Sequence, residues 1–353
     1  MDYTEAKRAE WIWYPGDFEF WLNLRVHTAR YQRAMQITPI WRLDSFYPNV
    51  KFRKQFRMDS EELVYIRADG ELAVEVDRLG NYDYDYRQGV AFAPGEHMLV
   101  LTVFNQSRLP SVFVEGARLV SDGSWEVSCV DGVWHPADFR GFTDKRVPPS
   151  DFRLQTRVIP PVAAERTEEG ILYDFGKERM GCLQLAQVRG GGRLEISYGE
   201  SREEALDYER AELIEAVQVE GAMETPRAVA CRYAYLRTAD RLHVGQVSLL
   251  YEYLPMTNRG AFFCDDELLN RIYDVSLHTL QLNSREFLLD GIKRDRWVWG
   301  GDAAQSYLLQ YYSFFDLDIC RRTMRVLRGR DPVRTHHNTI QDYTCYWFNS
   351  LYD

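Results

Sequence analysis

The sequence changes character at residues 265–276, which spell DDELLNRIYDVS. Apolar side chains recur there every three or four residues, the spacing of one face of an α-helix. Asp265 directly precedes the pattern and is a suitable N-cap. Upstream of this stretch the apolar residues mostly alternate, and downstream they keep the helical spacing. The stretch therefore divides a β-rich part from a helical part.

The β-rich part contains two regions separated by proline pairs. Runs such as FEFWLNLRVH (18–27) and HMLVLTVFN (97–105) alternate and are punctuated by turn signals, so they predict an antiparallel sandwich. Similar runs recur at 171–200 and 228–254, interrupted by the charged residues 201–216, which predict a long loop or a short helix. We expect a β-sandwich over residues 1–147, a proline-rich linker over 148–165, a second β-sandwich over 166–258 and helices over 259–353.

Composition excludes several classes of function. A net charge of −10 and a pI near 5.3 disfavour a nucleic-acid-binding surface. No apolar run is long enough for a membrane span and the first residues lack the apolar core of a secretory signal, so we expect a cytoplasmic protein. The six cysteines stand singly and the seven histidines form no metal-binding pattern, which predicts reduced thiols, no metal and no cofactor.

The chemistry is concentrated at residues 290–302, DGIKRDRWVWGGD, between helical segments. A glycosidase needs one carboxylic acid for the leaving oxygen and a second carboxylate for water or for the anomeric carbon. Asp295 is a candidate acid, with Asp290 and Asp302 as neighbouring charges or partners of sugar hydroxyls. Trp297 and Trp299 could form an apolar wall. The alternative from the residues alone is a salt-bridged loop whose aspartates cap helices.

The motif resembles the catalytic signature of bacterial α-L-rhamnosidases, glycoside hydrolase family 78. Six positions match: Asp290, Arg294, Asp295, Trp299, Gly301 and Asp302. Further likeness lies at residues 173–200, 232–238 and 260–273, in the family's order. The resemblance implies β-sandwich domains followed by an (α/α)6 barrel, and cleavage of terminal α-L-rhamnose with inversion.

Two departures from the family pattern shape the expectation. Arg296 stands where the family usually has the glutamate that serves as general acid, so we assign the role of general acid to Asp295. The family's general base lies far downstream and matches no residue here, so we expect an incomplete barrel and a chain that is inactive or nearly so by itself. Asp290, Arg294, Trp297, Trp299 and Asp302 are the predicted sugar contacts. The resemblance adds Asp342, Tyr343 and Trp347 on the next barrel loop, with Asp342 the strongest candidate of the three.

Other hypotheses remain open. The same fold could serve an α-L-fucosidase or another deoxysugar or uronic-acid hydrolase, and the missing glutamate also suits a carbohydrate-binding protein without activity. The expected partner is a small or oligomeric rhamnoside, with neither nucleic acid nor membrane. Apolar helix faces left uncovered could also drive homodimer formation.

Overall fold

The computed structural model describes residues 9–29, 44–80, 86–129, 131–238, 241–293 and 295–352. The chain divides into two compact units, both built from separated stretches of sequence. The first contains Met1–Arg25, Arg42–Arg153 and Arg328–Arg334, and the second contains Val26–Trp41, Leu154–Leu327 and Thr335–Asp353.

The first unit is an antiparallel β structure with two sheets. Its elements are β1 Ile12–Trp13, α1 Asp17–Ala29, β2 Asn49–Met58, β3 Glu62–Ala68, β4 Glu71–Val76, β5 Leu79–Gly80, β6 Val90–Phe92, β7 Gly95–Phe104, β8 Ser111–Glu115, β9 Glu126–Ser128 and β10 His135–Pro136. The sheet orders are β1-β8-β3-β6 and β10-β9-β2-β7-β4-β5. Alternate residues of β3 and β7, such as Val64 and Leu101, enter one shared core, which confirms the predicted antiparallel β-rich character.

The prediction of a strand at residues 18–27 was wrong. These residues form α1, because apolar side chains at consecutive positions, Phe20, Trp21 and Leu22, are all buried. A half-exposed strand buries only alternate residues, whereas a helix enclosed on several sides buries neighbours as well. In the sequence, the acidic residues of α1 resemble the polar face of a half-exposed strand. In the structure, however, Asp17 and Glu19 are buried.

The segment Arg328–Arg334 belongs to the first unit although it follows α5 in sequence. Arg330 forms a close ion pair with Asp17, whose side chain is fully buried. Its guanidinium carbon lies 4.0 Å from the ring centre of Tyr47 and 4.6 Å from that of Phe20. The late segment thus supplies the cation for a buried acid of the first helix.

The second unit contains one antiparallel sheet in the order β11-β18-β13-β17-β14-β15, with β12 and β16 paired to β13. Its elements are β11 Gln155–Ile159, β12 Ala163–Arg166, β13 Gly170–Arg189, β14 Gly192–Gly199, α2 Arg202–Leu206, β15 Leu213–Val219, β16 Met223–Glu224, β17 Val229–Arg237 and β18 His243–Tyr253. The first half of β13 pairs with β12 and β17, and its second half pairs mainly with β18. The charged stretch from residue 201 therefore contains the expected short helix but ends in a strand, β15.

The predicted helices follow the sheet. They are α3 Glu267–Asn283, α4 Gly300–Tyr311, α5 Leu317–Arg328 and α6 Gln341–Tyr352. The N-cap of α3 is Asp266, one residue later than predicted, because its carboxylate accepts the backbone N–H groups of Leu268 and Leu269. Asp316 caps the start of α5, because its carboxylate accepts the backbone N–H groups of Asp318 and Ile319.

Much of the apolar surface of these helices is uncovered. On α3, Leu268, Ile272 and Val275 are 62%, 52% and 64% exposed, and Phe348 of α6 is 62% exposed. None of the helices that the structure describes has the length and apolar character needed to cross a membrane.

Candidate functional site

The motif loop, residues 290–299, joins α3 to α4 and is closed at its base. The backbone N–H of Asp290 donates to the carbonyl of Trp297 at 3.0 Å. The N–H of Trp297 donates back to the Asp290 carboxylate at 2.8 Å. These two hydrogen bonds fix the Asp290 side chain at the base of the loop.

Three other motif residues attach the loop to the sheet of the second unit. Ile292 is buried in the core of the sheet. Lys293 forms an ion pair with Glu204 of α2 at 2.6 Å. Arg296, buried and with a positive φ of 48°, donates to the carbonyl of Ala228 at 2.8 Å. The loop is therefore held by apolar, ionic and hydrogen-bonding contacts.

The carboxylates of the motif influence one another. Burial raises the pKa of Asp290 to about 6, and the charges of Asp295 and Asp302 contribute to the rise. Burial also raises the pKa of Asp302, again with a contribution from Asp295. A carboxyl group whose pKa approaches neutrality can hold a proton during a reaction, which is what acid chemistry requires.

Aromatic groups border the carboxylates. The rings of Trp299 and Tyr343 meet edge to face, with centres 6.3 Å apart. Burial raises the pKa of Tyr343, and the charges of Asp302 and Asp290 add to the effect. A Cβ at Gly301 would lie 2.7 Å from the Tyr343 ring, so glycine permits this close approach of α4 and α6.

A buried asparagine fixes the beginning of α4. The side-chain oxygen of Asn338 accepts the N–H of Gly300 at 2.8 Å, and its amide donates to the carbonyl of Val298 at 3.0 Å. Asn338 has a positive φ of 52°, a conformation that asparagine tolerates better than most residues. The residue was not among the predicted site residues, since a single asparagine among other polar residues carries no recognisable signal.

The predicted site residues do not all lie together. Trp297 is only 2% exposed and belongs to the packed interior, so it forms no open wall in this structure. Trp347 donates its indole N–H to the carbonyl of Met324 at 2.9 Å, and its ring packs edge-on against His337. Asp342 is exposed in the first turn of α6, and Arg294 lies outside the described residues.

A second acidic group adjoins the loop at Lys293. Glu178 of β13 has both carboxylate oxygens buried, and burial raises its pKa to about 8 with contributions from Glu200 and Glu204. Lys293 opposes the rise, but its ammonium is already held by Glu204 at 2.6 Å and lies 3.7 Å from Glu200. Sequence patterns could not reveal Glu178, because apolar periodicity does not register the burial of a charged side chain.

Comparison with known proteins identifies the family. The family described as "Alpha-rhamnosidase-like, bacteroidetes, N-terminal" matches residues 50–236, more than half of the chain. The chain belongs to this alpha-rhamnosidase-like family. The match covers β strands of both units and ends before the motif loop, so the motif and the family match are independent observations.

Solved rhamnosidases resemble this alpha-rhamnosidase-like chain in structure. A rhamnosidase from Klebsiella oxytoca with rhamnose bound is 21% identical, with a TM-score of 0.50 over 56% of this chain and 52% of its own. A family 78 rhamnosidase of Bacillus sp. GL1 is 15% identical, with a TM-score of 0.45 over 86% of this chain and 41% of its own. The chain spans about half the length of these proteins or less. No curated protein sequence matches it.

The alpha-rhamnosidase-like chain holds no cluster of three or more histidine, cysteine, aspartate or glutamate side chains suited to a metal ion within the described ranges. Its carboxylates are instead arranged around hydrogen bonds and aromatic rings.

Proposed function

We propose that the protein encoded by this gene hydrolyses terminal α-L-rhamnosyl residues, and that the motif loop supplies the acid half of its active site. The carrying observation is the group of three carboxylates, in which the charge of Asp295 contributes to the raised pKa of both Asp290 and Asp302. Such electrostatic coupling suits a site in which one carboxyl group donates a proton while others orient the sugar.

In this proposal Asp295 is the general acid. The side chain of Asp295 is half-buried, and its charge acts on both Asp290 and Asp302, whereas the Asp290 carboxylate already accepts the N–H of Trp297. Asp290 and Asp302 accept hydrogen bonds from sugar hydroxyls, and Trp299 with Tyr343 contacts the apolar face of the ring. Trp297 has no place in the proposed sugar contacts, because it is buried.

The helices α3 to α6 are proposed to be the first helices of an (α/α)6 barrel, with the general base supplied by a part of the gene product other than the described residues. The exposed apolar faces of α3 and α6 support this, since partner helices would cover them. An inverting reaction then follows, with water activated by that second carboxylate. The 353-residue chain alone is expected to be inactive or nearly so.

The role of Asp295 as general acid can be tested by comparing the effect of its substitution on substrates with poor and good leaving groups. In the complete gene product, Asp295→Asn should lower kcat/KM for methyl α-L-rhamnoside by about 10² to 10⁴-fold, because a poor leaving group requires protonation. The same variant should lose much less activity on a dinitrophenyl rhamnoside, which leaves without a proton. The measurement is initial rate on the two substrates.

Asp302→Asn is the matched control, because loss of a binding contact should reduce both rates by a similar factor. If Asp290→Asn shows the leaving-group dependence and Asp295→Asn does not, the acid is Asp290. A panel of aryl glycosides separates rhamnosidase activity from hydrolysis of fucosides or uronides, and binding of rhamnose without turnover would contradict the proposed reaction.

A further inference from the structure

A separate cleft of about 300 Å³ lies in the second unit between β11, β13, β18 and α3. No residue of the motif loop lines it. Its walls carry two tyrosines and four basic side chains: Arg157, Lys177, Arg179, Tyr251, Tyr253 and His278. The combination differs from that of the acidic site.

Strand register places the aromatic and basic groups on one face. β11 pairs with β18 so that Arg157 stands opposite Tyr251. Side chains two residues apart on a strand share a face, so Tyr253 lies beside Tyr251, with ring centres 5.2 Å apart and planes inclined by 20°. The guanidinium carbon of Arg179 lies 6.0 Å from the Tyr251 ring centre. The two tyrosine rings are therefore stacked on each other, and the Arg179 guanidinium lies over the Tyr251 ring.

The positive charge of the cleft is not neutralised. No carboxylate lines it, and neither Arg157, Lys177 nor Arg179 makes an ion pair with another described residue. Burial lowers the pKa of Arg179, and the charge of Arg157 adds to this effect. Burial likewise lowers the pKa of His278, with contributions from Lys177 and Arg179. Arg179 donates to the carbonyls of Phe175 and Lys177, but these bonds do not neutralise its charge. The like charges repel one another, and a bound anion would relieve this repulsion.

We propose that this cleft binds a saccharide bearing an anionic group, either a carboxylate or a phosphate. The apolar face of the sugar ring lies against the ring of Tyr253, since Tyr251 is covered by Tyr253 and Arg179. The anionic group lies among Arg157, Lys177 and Arg179, whose donors match carboxylate or phosphate oxygens. A volume of about 300 Å³ is at the small end of ligand sites, which suits a single sugar ring. This inference does not depend on the proposed rhamnoside hydrolysis.

The test is titration calorimetry on the 353-residue protein at low salt with four probes: glucuronic acid, glucose 6-phosphate, glucose and inorganic phosphate. One of the two anionic sugars should bind at least about tenfold more tightly than glucose and than inorganic phosphate. Whichever anionic sugar binds identifies the anion. Absence of binding, equal binding of glucose, or equal binding of inorganic phosphate would each overturn the proposal.

Variants assign the binding to the cleft. Arg157→Gln and Lys177→Gln change exposed side chains, so the fold should persist, and each should weaken the anionic sugar by about tenfold or more. Tyr253→Ala should weaken the sugar without changing the binding of inorganic phosphate. Arg271→Gln is the matched control, since this exposed residue of α3 does not line the cleft. Equal loss in the control, or no loss in Arg157→Gln and Lys177→Gln, would place the binding elsewhere.

Discussion

Each of the two units buries a carboxyl group, Asp17 in the first and Glu178 in the second, and the two groups differ in their ion-pair partners. In the first unit Asp17 is fully buried, but Arg330 pairs with it and the N–H of Tyr47 donates to it at 2.9 Å. In the second unit Glu178 makes no ion pair within the described part of the chain, because its neighbouring cation, Lys293, is bound to Glu204. A buried carboxylate that is paired with a cation holds two parts of the fold together. A buried carboxyl group without such a cation has a raised pKa and stays protonated up to a higher pH.

The pKa values of these buried carboxyl groups partly reflect whether each group has an ion-pair partner. Burial raises the pKa of Asp17 to about 7 although Arg330 opposes the rise, and that of Glu178 to about 8. Asp290 is raised to about 6 with only backbone N–H groups in opposition. Glu178 and Asp290 thus make no ion pair with another residue that the structure describes, which favours proton transfer over a purely structural role for these two carboxyl groups.

The largest expected effect comes from removing the cation of the first unit. Arg330→Met should lower the free energy of unfolding at pH 8 by about 3–5 kcal/mol, because Asp17 would remain buried without its partner. The loss should be smaller at pH 5, where Asp17 can take up a proton. Urea denaturation at the two pH values measures both quantities.

Arg328→Met is the control for that change, because Arg328 lies in the same segment and pairs with the exposed Asp331. Its effect should stay within about 0.5 kcal/mol. Equal losses in the two variants would mean that the burial of Asp17 is not what makes Arg330 important.

A smaller effect of opposite sign is expected at Glu178. Its folded-state pKa of about 8 lies above the ordinary value of 4.5, so the folded state retains a proton that the unfolded chain releases. The free energy of unfolding therefore falls as pH rises between these values. Glu178→Gln should remove this fall and raise stability at pH 8 by about 1–3 kcal/mol, with little change at pH 4.5.

The comparison for this second change is Glu203→Gln on the exposed side of α2, which should not alter the pH dependence of stability. Denaturation curves from pH 4.5 to pH 8.5 measure it. A Glu178→Gln protein less stable than wild type at pH 8 would show that the carboxylate is compensated after all.

The smallest effect on stability is expected at Asp290. Asp290→Asn retains an oxygen for the N–H of Trp297 and removes a charge that burial disfavours, so the free energy of unfolding at pH 7.5 should change by less than about 1 kcal/mol. Thermal unfolding of the variant beside wild type measures this. If Asp290→Asn lowered the free energy of unfolding as much as Arg330→Met, Asp290 would stabilise the fold as Asp17 does. The two units would then not differ in the role of their buried carboxyl groups.

Sequence patterns predicted the helices and most strands, because apolar periodicity reflects which face is buried. They failed at α1, where acidic residues such as Asp17 and Glu19 are buried with the apolar ones. Periodicity assumes that charged residues face solvent, and it cannot register a cation that arrives more than 300 residues later, as Arg330 does for Asp17. The same limitation concealed Glu178.

At the candidate site the motif located Asp290, Asp302 and Trp299 but could not show which aromatic residues accompany them. Trp297 and Trp299 are two residues apart, yet one is buried while the other contacts Tyr343. Position along the loop does not determine the direction of a side chain, because the loop backbone is irregular: Arg296, directly before Trp297, has a positive φ. Tyr343, which was predicted together with Asp342 and Trp347, is the residue of α6 that lies against the glycines of the motif.

The return of Arg328–Arg334 to the first unit has a consequence for biosynthesis. Ribosomes complete the strands of that unit at about residue 153, but the cation for Asp17 emerges only at residue 330. At the usual ~5–20 residues per second, the interval is roughly 10–35 seconds. During it the first unit must keep Asp17 protonated or leave α1 undocked, and the whole second sheet is synthesised before the N-terminal unit is finished.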